Sequence, residues 1–349
     1  MNLRPLLVGS CLFFAAAAAL ACAPAPPRGQ YVDIGDESAI ILWDAAARTE
    51  HFVRRATFAT PAKDFGFLVP TPTKPTLAES GDEVFRHLAD VTAPRIVTKA
   101  VYEPSFGIGC GSGRRVSDAP AASVQVLEQT RVGGYDASVL AADDPAALNR
   151  WLGEHGYESR PALTAWLAPY TKAGWTVTAF KIAKAVADAP NVGTTAVRMT
   201  FQTNRPFFPY REPEDQRGAK ANPPRRLLRV YFIGDGRFAG ALDGGADWPG
   251  RAVWANAVSE TNRIWLANEL RLPIPAGNSL WLTEFEDHSS PRPGTDEVYF
   301  APSADQTPIE RHPIIRNDIY TFPDLISLSI LLAITLSLVT LVVRRVLRR

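Results

Sequence analysis

An apolar run near the end of the chain, LISLSILLAITLSLVTLVV at positions 325–343, limits the folds that this sequence can adopt. The run contains no charged residue, no proline and no glycine, and it approaches the roughly 20 residues that cross about 30 Å of hydrocarbon. It predicts one transmembrane helix. The basic tail RRVLRR follows at 344–349, and positive residues stay on the cytoplasmic side of a membrane, so the rest of the chain is expected outside.

The expected topology is therefore type I, single-pass, in the cell membrane. Residues 22–300 would form an extracytoplasmic domain in the periplasm or at the cell surface, and residues 301–324 would form a stalk. The expected partner of the tail arginines is the anionic lipid of the cytoplasmic leaflet.

A second apolar segment opens the chain and has the form of a secretory signal peptide. Arg4 precedes the apolar run, and the small residues Ala19 and Ala21 flank Leu20, so residues 1–21 are expected to be removed before Cys22. Two alternatives stay open. A lipoprotein signal would also end before a cysteine, and the run is nearly long enough to remain as an uncleaved anchor.

Charge and cysteine content agree with export. The formal net charge of +1 includes Arg4 and four tail arginines, so the exported part carries about −4, which argues against nucleic acid as a partner. Cys11 leaves with the signal, and Cys22 and Cys110 are expected to form a disulfide in an oxidising compartment. The alternative is two unrelated thiols.

The remaining sequence predicts an α+β fold, an antiparallel-rich β ectodomain with a few helices. Three helices are predicted in ESGDEVFRHLADVT, DDPAALNRWLGEHGYESR and PALTAWLAPYTKAG, since each has a capping residue or proline at its start. Strands outnumber helices, and short turns join several of them. The Pro-rich, charged stretch at 205–226 is the expected boundary if the ectodomain divides in two. Strands are predicted in SAIILWD, TEHFVRRATF, DFGFLVP, RIVTKAVYEP, SVQVLEQTRV, GYDASVLAAD, WTVTAFKIA, TAVRMTFQT, LLRVYFIG, AVWANAV, NSLWLTEFED and EVYFAP.

The triplet Asp64-Phe65-Gly66 matches the magnesium-binding motif of protein kinases. A kinase also needs a glycine-rich phosphate loop, a strand lysine and a catalytic aspartate ahead of this triplet, and none precedes it here. We therefore interpret the triplet as a turn that leads into a buried strand.

Other polar clusters fall short of a recognisable site. The five histidines are scattered, and the group EFEDH around Glu284 and Asp287 favours a solvated strand end over a metal site. No catalytic, metal or cofactor-binding residue is therefore assigned. The glycine-rich loop around Cys110 is a candidate anion loop, with Gly111, Gly113, Arg114 and Arg115 as its residues.

One aromatic stretch is a candidate contact surface. Phe207, Phe208 and Tyr210 lie between prolines in RPFFPY, at the end of a predicted strand, where apolar rings would be exposed to a partner.

Several segments together resemble the bacterial domain of unknown function 2330 family: DFGFLVPTPTKP, ALNRWLGEHGYES, AWLAPYTKAGWTVTAFKIA and AVRMTFQTNRPFFPYR. Their order after an export signal and an early cysteine is similar to that of the family. The resemblance implies an exported, often membrane-anchored protein and assigns no activity. Members tend to have more cysteines around the Gly-Cys-Gly loop, where this chain has only Cys110.

Two functions are compatible with the sequence. The first is a non-enzymatic binding or scaffold module of the cell envelope with an envelope protein as partner, which presents an exposed apolar surface. The second is an extracytoplasmic hydrolase of envelope polymers that uses carboxylates such as Asp64, Glu284 and Asp287 in a cleft.

Overall fold

The computed structural model describes residues 24–25, 33–59, 66–104, 131–132, 135–157, 159–182, 191–193, 196–217, 226–274, 279–322 and 325–347. Several sites of the sequence analysis lie outside the described residues. They are the signal segment 1–21, the expected disulfide Cys22 and Cys110, the carboxylate Asp64, and the candidate anion loop Gly111, Gly113, Arg114 and Arg115.

The chain divides into two compact units. Unit 1 comprises Met1–Ala93 and Leu127–Glu310, and unit 2 comprises Pro94–Val126 and Arg311–Arg349. The described residues of 205–226 lie inside unit 1. In the predicted stalk, 301–324, one strand ends at Pro302 and another runs from Ile314 to Phe322.

The helices are α1 (Glu83–Val91), α2 (Pro145–Glu154), α3 (Pro161–Lys172), α4 (Glu214–Arg217), α5 (Glu260–Leu270) and α6 (Leu325–Val346). The strands are β1 (Pro24–Ala25), β2 (Asp33–Asp44), β3 (Thr49–Ala59), β4 (Gly66–Thr71), β5 (Thr76–Glu79), β6 (Ile96–Pro104), β7 (Arg131–Val132), β8 (Tyr135–Ala141), β9 (Thr176–Ile182), β10 (Asn191–Gly193), β11 (Val197–Gln202), β12 (Phe207–Phe208), β13 (Leu227–Gly234), β14 (Phe238–Leu242), β15 (Arg251–Ala257), β16 (Trp281–Asp287), β17 (Val298–Pro302) and β18 (Ile314–Phe322).

The described strands of unit 1 form three sheets. The largest has the order β15-β16-β13-β2-β3-β11-β5, with β10 also paired to β3; the second has the order β1-β4-β9-β8-β7 and the third β12-β17-β14. Among the described strands of this unit, β2 and β13 form the one parallel pair, and the other pairs are antiparallel. The prediction of an α+β fold with antiparallel-rich sheets is therefore confirmed.

The two faces of the largest sheet pack against different layers, because successive side chains of a strand point to opposite sides. Ile41 and Phe52 belong to a core that includes Phe180 of the second sheet, whereas Ile40 belongs to a core with Leu266 of α5. Burial of each such side chain stabilises the fold by about 1.5–3 kcal/mol.

The predicted helices α1, α2 and α3 form where expected. Asp144 caps α2 by accepting hydrogen bonds from the backbone of Ala146 at 2.9 Å and Ala147 at 3.0 Å, and Pro145 occupies the first turn. Leu148 and Leu152 of α2 are buried.

The transmembrane part of the fold prediction is overturned. Among the residues that the structure describes, no helix is long and apolar enough to cross a membrane. The segment does form the helix α6, but Arg344 and Arg345 lie in its last turn.

Gly66, the last residue of the kinase-like triplet, has a packing role. It begins β4, a strand that is buried along its whole length, and it pairs with Lys181 of β9. A Cβ at this position would lie 2.3 Å from Cε1 of Tyr157 and 2.6 Å from the carbonyl oxygen of Phe180. The glycine therefore allows a tyrosine ring to pack against the strand backbone.

Substitution Gly66→Ala should lower the free energy of unfolding by about 1–3 kcal/mol, because the new methyl group overlaps Tyr157 and a backbone carbonyl that cannot move freely. Urea denaturation measures the change. The matched control is Gly81→Ala, whose Cβ would lie 3.6 Å from the nearest atom, Oε2 of Glu269. Equal stability of the two variants would contradict the packing role of Gly66.

Candidate functional site

Charged side chains from distant parts of unit 1 meet in its interior. Glu37 of β2 accepts a hydrogen bond from Nε of Arg54 at 2.8 Å, and Nη1 of Arg292 lies 3.4 Å from its other oxygen. The side chains of Glu37 and Arg292 are fully buried and that of Arg54 is 5% exposed. Loss of one partner would leave an uncompensated buried charge, which costs about 3–5 kcal/mol.

Asp287, at the end of β16, belongs to the same network. Its Oδ2 accepts a hydrogen bond from the hydroxyl of Tyr210 at 2.8 Å, and its Oδ1 accepts one from the backbone of Ser289 at 2.8 Å. Burial and the charge of Asp287 raise the pKa of Tyr210, so the phenol stays a neutral donor. This candidate hydrolytic carboxylate is fully buried, and its oxygens bind groups of the fold itself.

Glu284, the second candidate carboxylate, is also paired in the interior. It is 1% exposed, and its Oε1 lies 2.8 Å from Nε of Arg229. The interpretation of EFEDH as a solvated strand end is wrong for Glu284 and Asp287, since both are buried, and holds for His288, which is exposed. In the part of the chain that the structure describes, no three His, Cys, Asp or Glu side chains are grouped to hold a metal ion.

A second buried pair lies in the stretch 205–226. Nη2 of Arg226 donates to Oε1 of Glu212 at 2.9 Å, and the two side chains are 2% and 0% exposed. Burial raises the pKa of Glu212, and burial together with the positive charge of Arg292 lowers the pKa of Arg226. This polar stretch thus contributes ionic groups to the core of unit 1.

Two buried glutamates hold the backbone that follows β11. Oε2 of Glu50 accepts a hydrogen bond from the backbone of Phe207 at 2.9 Å. Oε2 of Glu297 accepts from the backbone of Tyr210 at 2.7 Å and of Arg211 at 3.2 Å. Burial raises the pKa of both carboxyl groups. These bonds provide acceptors for backbone N–H groups that the short strand β12 leaves without a partner in a sheet.

The candidate contact surface Phe207, Phe208 and Tyr210 is buried, so the prediction that it is exposed is wrong. The three side chains are 0–1% exposed. The ring centroids of Phe208 and Phe52 are 6.0 Å apart, and those of Tyr210 and Trp248 are 6.2 Å apart. The neighbouring prolines suggested a surface loop, but the buried carboxylates make an interior position favourable for this backbone.

A partly open cavity lies between α1, α5 and the outer strand β15. Its volume is about 140 Å³. Its inner wall includes Leu88, Leu266 and Leu282, which are buried. Half-buried Trp254 of β15 also lines it, and Ala257 lies exposed at its rim.

Polar groups of the same cavity come from three elements. Nε2 of His87 lies 3.2 Å from Oδ1 of Asn262, and the His87 ring stacks on Trp265 with centroids 3.9 Å apart. Asn256 of β15 and Ser259, the residue that caps α5, complete the polar lining. The arrangement provides an apolar wall with a few fixed hydrogen-bonding groups, which is the usual character of a recognition pocket.

The cavity was not predictable from the sequence, because α5 was not predicted. The residue that could have indicated the start of α5 is Ser259. Its side chain accepts a hydrogen bond from the backbone of Asn262 at 3.3 Å, as a helix-capping serine does. The apolar spacing is weak, with only Leu266 and Leu270 of this helix buried, so no clear stripe marks it.

The fold and its interior define the class of this protein, an α+β protein with antiparallel-rich sheets and a buried ionic network. A bacterial family described as an uncharacterized protein conserved in bacteria, domain of unknown function 2330, matches residues 15–289. The chain belongs to this family, as its motifs suggested.

Among solved structures, the crystal structure of baculovirus P35 is similar at 9% sequence identity and a TM-score of 0.36. The alignment covers 81% of this chain and 97% of that chain. A likeness at this level supports no inference about function. The comparison with curated proteins found no match.

Titration of Glu50 should make the free energy of unfolding fall as pH rises. Its pKa is raised in the folded state, so the unfolded chain loses this proton first, and the stabilisation by the protonated form is lost as pH approaches the folded pKa. Substitution Glu50→Gln keeps an oxygen acceptor for Phe207 and removes the titration.

Urea denaturation at several pH values tests this expectation. Relative to the wild type, Glu50→Gln should gain stability with increasing pH above the ordinary pKa of glutamate, by at most about 1.4 kcal/mol per pH unit. Glu154→Gln, on an exposed face of α2, is the control. If the free energies of unfolding of Glu50→Gln and the wild type changed with pH in parallel, the raised pKa of Glu50 would be refuted.

Proposed function

We propose that this protein is a non-enzymatic binding module of the cell envelope, which recognises a protein partner through the cavity between α1, α5 and β15. Export rests on the signal-like segment 1–21. The observation that carries the proposal is the cavity itself, an apolar wall with an imidazole and two amides at its border.

The size of the cavity indicates the kind of group that it accepts. About 140 Å³ is close to the roughly 150 Å³ that holds a benzene ring in an apolar protein cavity. It is well below the roughly 300–1,000 Å³ of pockets for drug-sized ligands. One aromatic or branched aliphatic side chain of a partner would fill it, and Asn256 and Asn262 could bond to the adjacent backbone. Such anchors carry much of the affinity of protein interfaces.

The hydrolase alternative has weaker support. A hydrolase of glycans needs two carboxyl groups that face a cleft. Glu284 and Asp287 are buried and bonded within the fold, and neither lines the cavity.

The proposal is tested by filling the cavity at its rim. Ala257 lines the cavity and is exposed, so Ala257→Trp should block the cavity without disturbing the core. Ala239→Trp is the matched control, because Ala239 is also an exposed strand alanine but does not line the cavity. In-cell crosslinking and pull-down of the tagged full chain should capture a specific envelope protein with the wild type and with the control. The yield should fall about tenfold or more with Ala257→Trp.

Equal capture by all three proteins would refute the cavity as the recognition site. Co-purification of glycan or peptide fragments without a protein partner would favour the hydrolase instead. Circular dichroism should show the same unfolding temperature for both variants.

A further inference from the structure

Unit 2 contains a strand pair that leaves apolar surface uncovered. β6 and β18 run parallel, and nine residue pairs are in register from Ile314 opposite Ile96 to Phe322 opposite Pro104. In the described part of this unit no further strand pairs with either of them. Parallel sheets are normally covered on both faces, and a two-stranded sheet is at best marginally stable alone.

The exposed residues lie on both faces of this pair. Ile96 and Ile314 are 66% and 54% exposed, and their neighbours Val97 and Ile315 are 43% and 55% exposed. Successive residues of a strand point to opposite faces, so each face carries one exposed pair. Four exposed β-branched side chains in register favour association with another surface.

The sequence of β18 is complementary to itself in the antiparallel direction. In Ile315-Arg316-Asn317-Asp318-Ile319, positions at equal distance from Asn317 carry opposite charges or the same apolar residue. A two-fold axis at Asn317 would place Arg316 opposite the partner's Asp318, and Ile315 opposite the partner's Ile319. Opposite charges that face each other across an antiparallel pair stabilise the pairing.

The charged side chains are available for such pairing. Nε of Arg316 lies 3.5 Å from Oδ1 of Asp318 in the same strand, and the two side chains are 72% and 41% exposed. The outer edge of β6 suits pairing less well, because this strand ends in Pro104, which has no N–H group to donate.

We propose that the protein forms a symmetric dimer in which β18 pairs antiparallel with β18 of a second copy, centred on Asn317. The resulting sheet has four strands, and the two-fold symmetry makes the same surface serve both partners. The residues of this interface are different from those that line the proposed recognition cavity.

A cysteine at the symmetry axis tests the register. Residues directly opposite in an antiparallel pair have Cα atoms about 4.5–5.5 Å apart, which suits a disulfide. Mild oxidation of the purified full chain carrying Asn317→Cys should therefore give a covalent dimer on non-reducing gels. Val101→Cys on β6 is the control and should stay at the background level that the unsubstituted chain sets.

A charge exchange tests the pairing without a new covalent bond. Arg316→Asp or Asp318→Arg alone places like charges opposite each other twice, so each should weaken dimerisation about tenfold or more in analytical ultracentrifugation. The double variant restores both pairs and should dimerise within about threefold of the wild type.

Three results would overturn the proposal: a wild type that stays monomeric, a disulfide dimer through Val101→Cys in place of Asn317→Cys, or single charge variants that dimerise like the wild type. Failure of the cavity variant in partner capture has no bearing on these measurements, so the two proposals can fail independently.

Discussion

The fold of unit 1 depends on buried carboxyl groups that accept hydrogen bonds from backbone remote in sequence. Glu50 and Glu297 hold the backbone of Phe207, Tyr210 and Arg211, and this places the aromatic rings of that stretch in the core between the sheets. Without these acceptors, the short β12 would leave unpaired N–H groups in the interior, each at a cost of about 1–3 kcal/mol. The two glutamates therefore fix the backbone that carries these rings into the core shared by the sheets.

Patterns that lie within one segment were predictable. Asp144 and Pro145 identify the start of α2 from adjacent residues alone, and the run TAVRMTFQT predicts the strand β11. The transmembrane prediction also rested on one segment and was overturned, since no helix among the described residues is long and apolar enough to cross a membrane.

Partners that are distant along the chain were not predictable. Phe207 and Glu50 are 157 positions apart, and Tyr210 and Asp287 are 77 apart, so no local pattern indicates that the stretch RPFFPY turns inward. The recognition cavity was missed for a similar reason, since it needs α1, α5 and β15 together. Membership of the family was found because four separate segments keep their order, and such an order does not depend on knowing any contact.

The parallel pairing of β2 with β13 determines the order in which this chain can fold. One edge of β2 pairs with β3, which follows it directly in the sequence. The other edge pairs with Leu227–Gly234, and Glu37 contacts Arg292, 255 positions later, so both contacts require much more of the chain. Contacts between such distant positions form slowly, because a long loop must close before they stabilise anything. An N-terminal half that lacks those residues therefore has one open edge on β2, and its Glu37 has Arg54 but not yet Arg292 as a partner. An open strand edge of this kind exposes an incomplete chain to aggregation until its partner strand arrives.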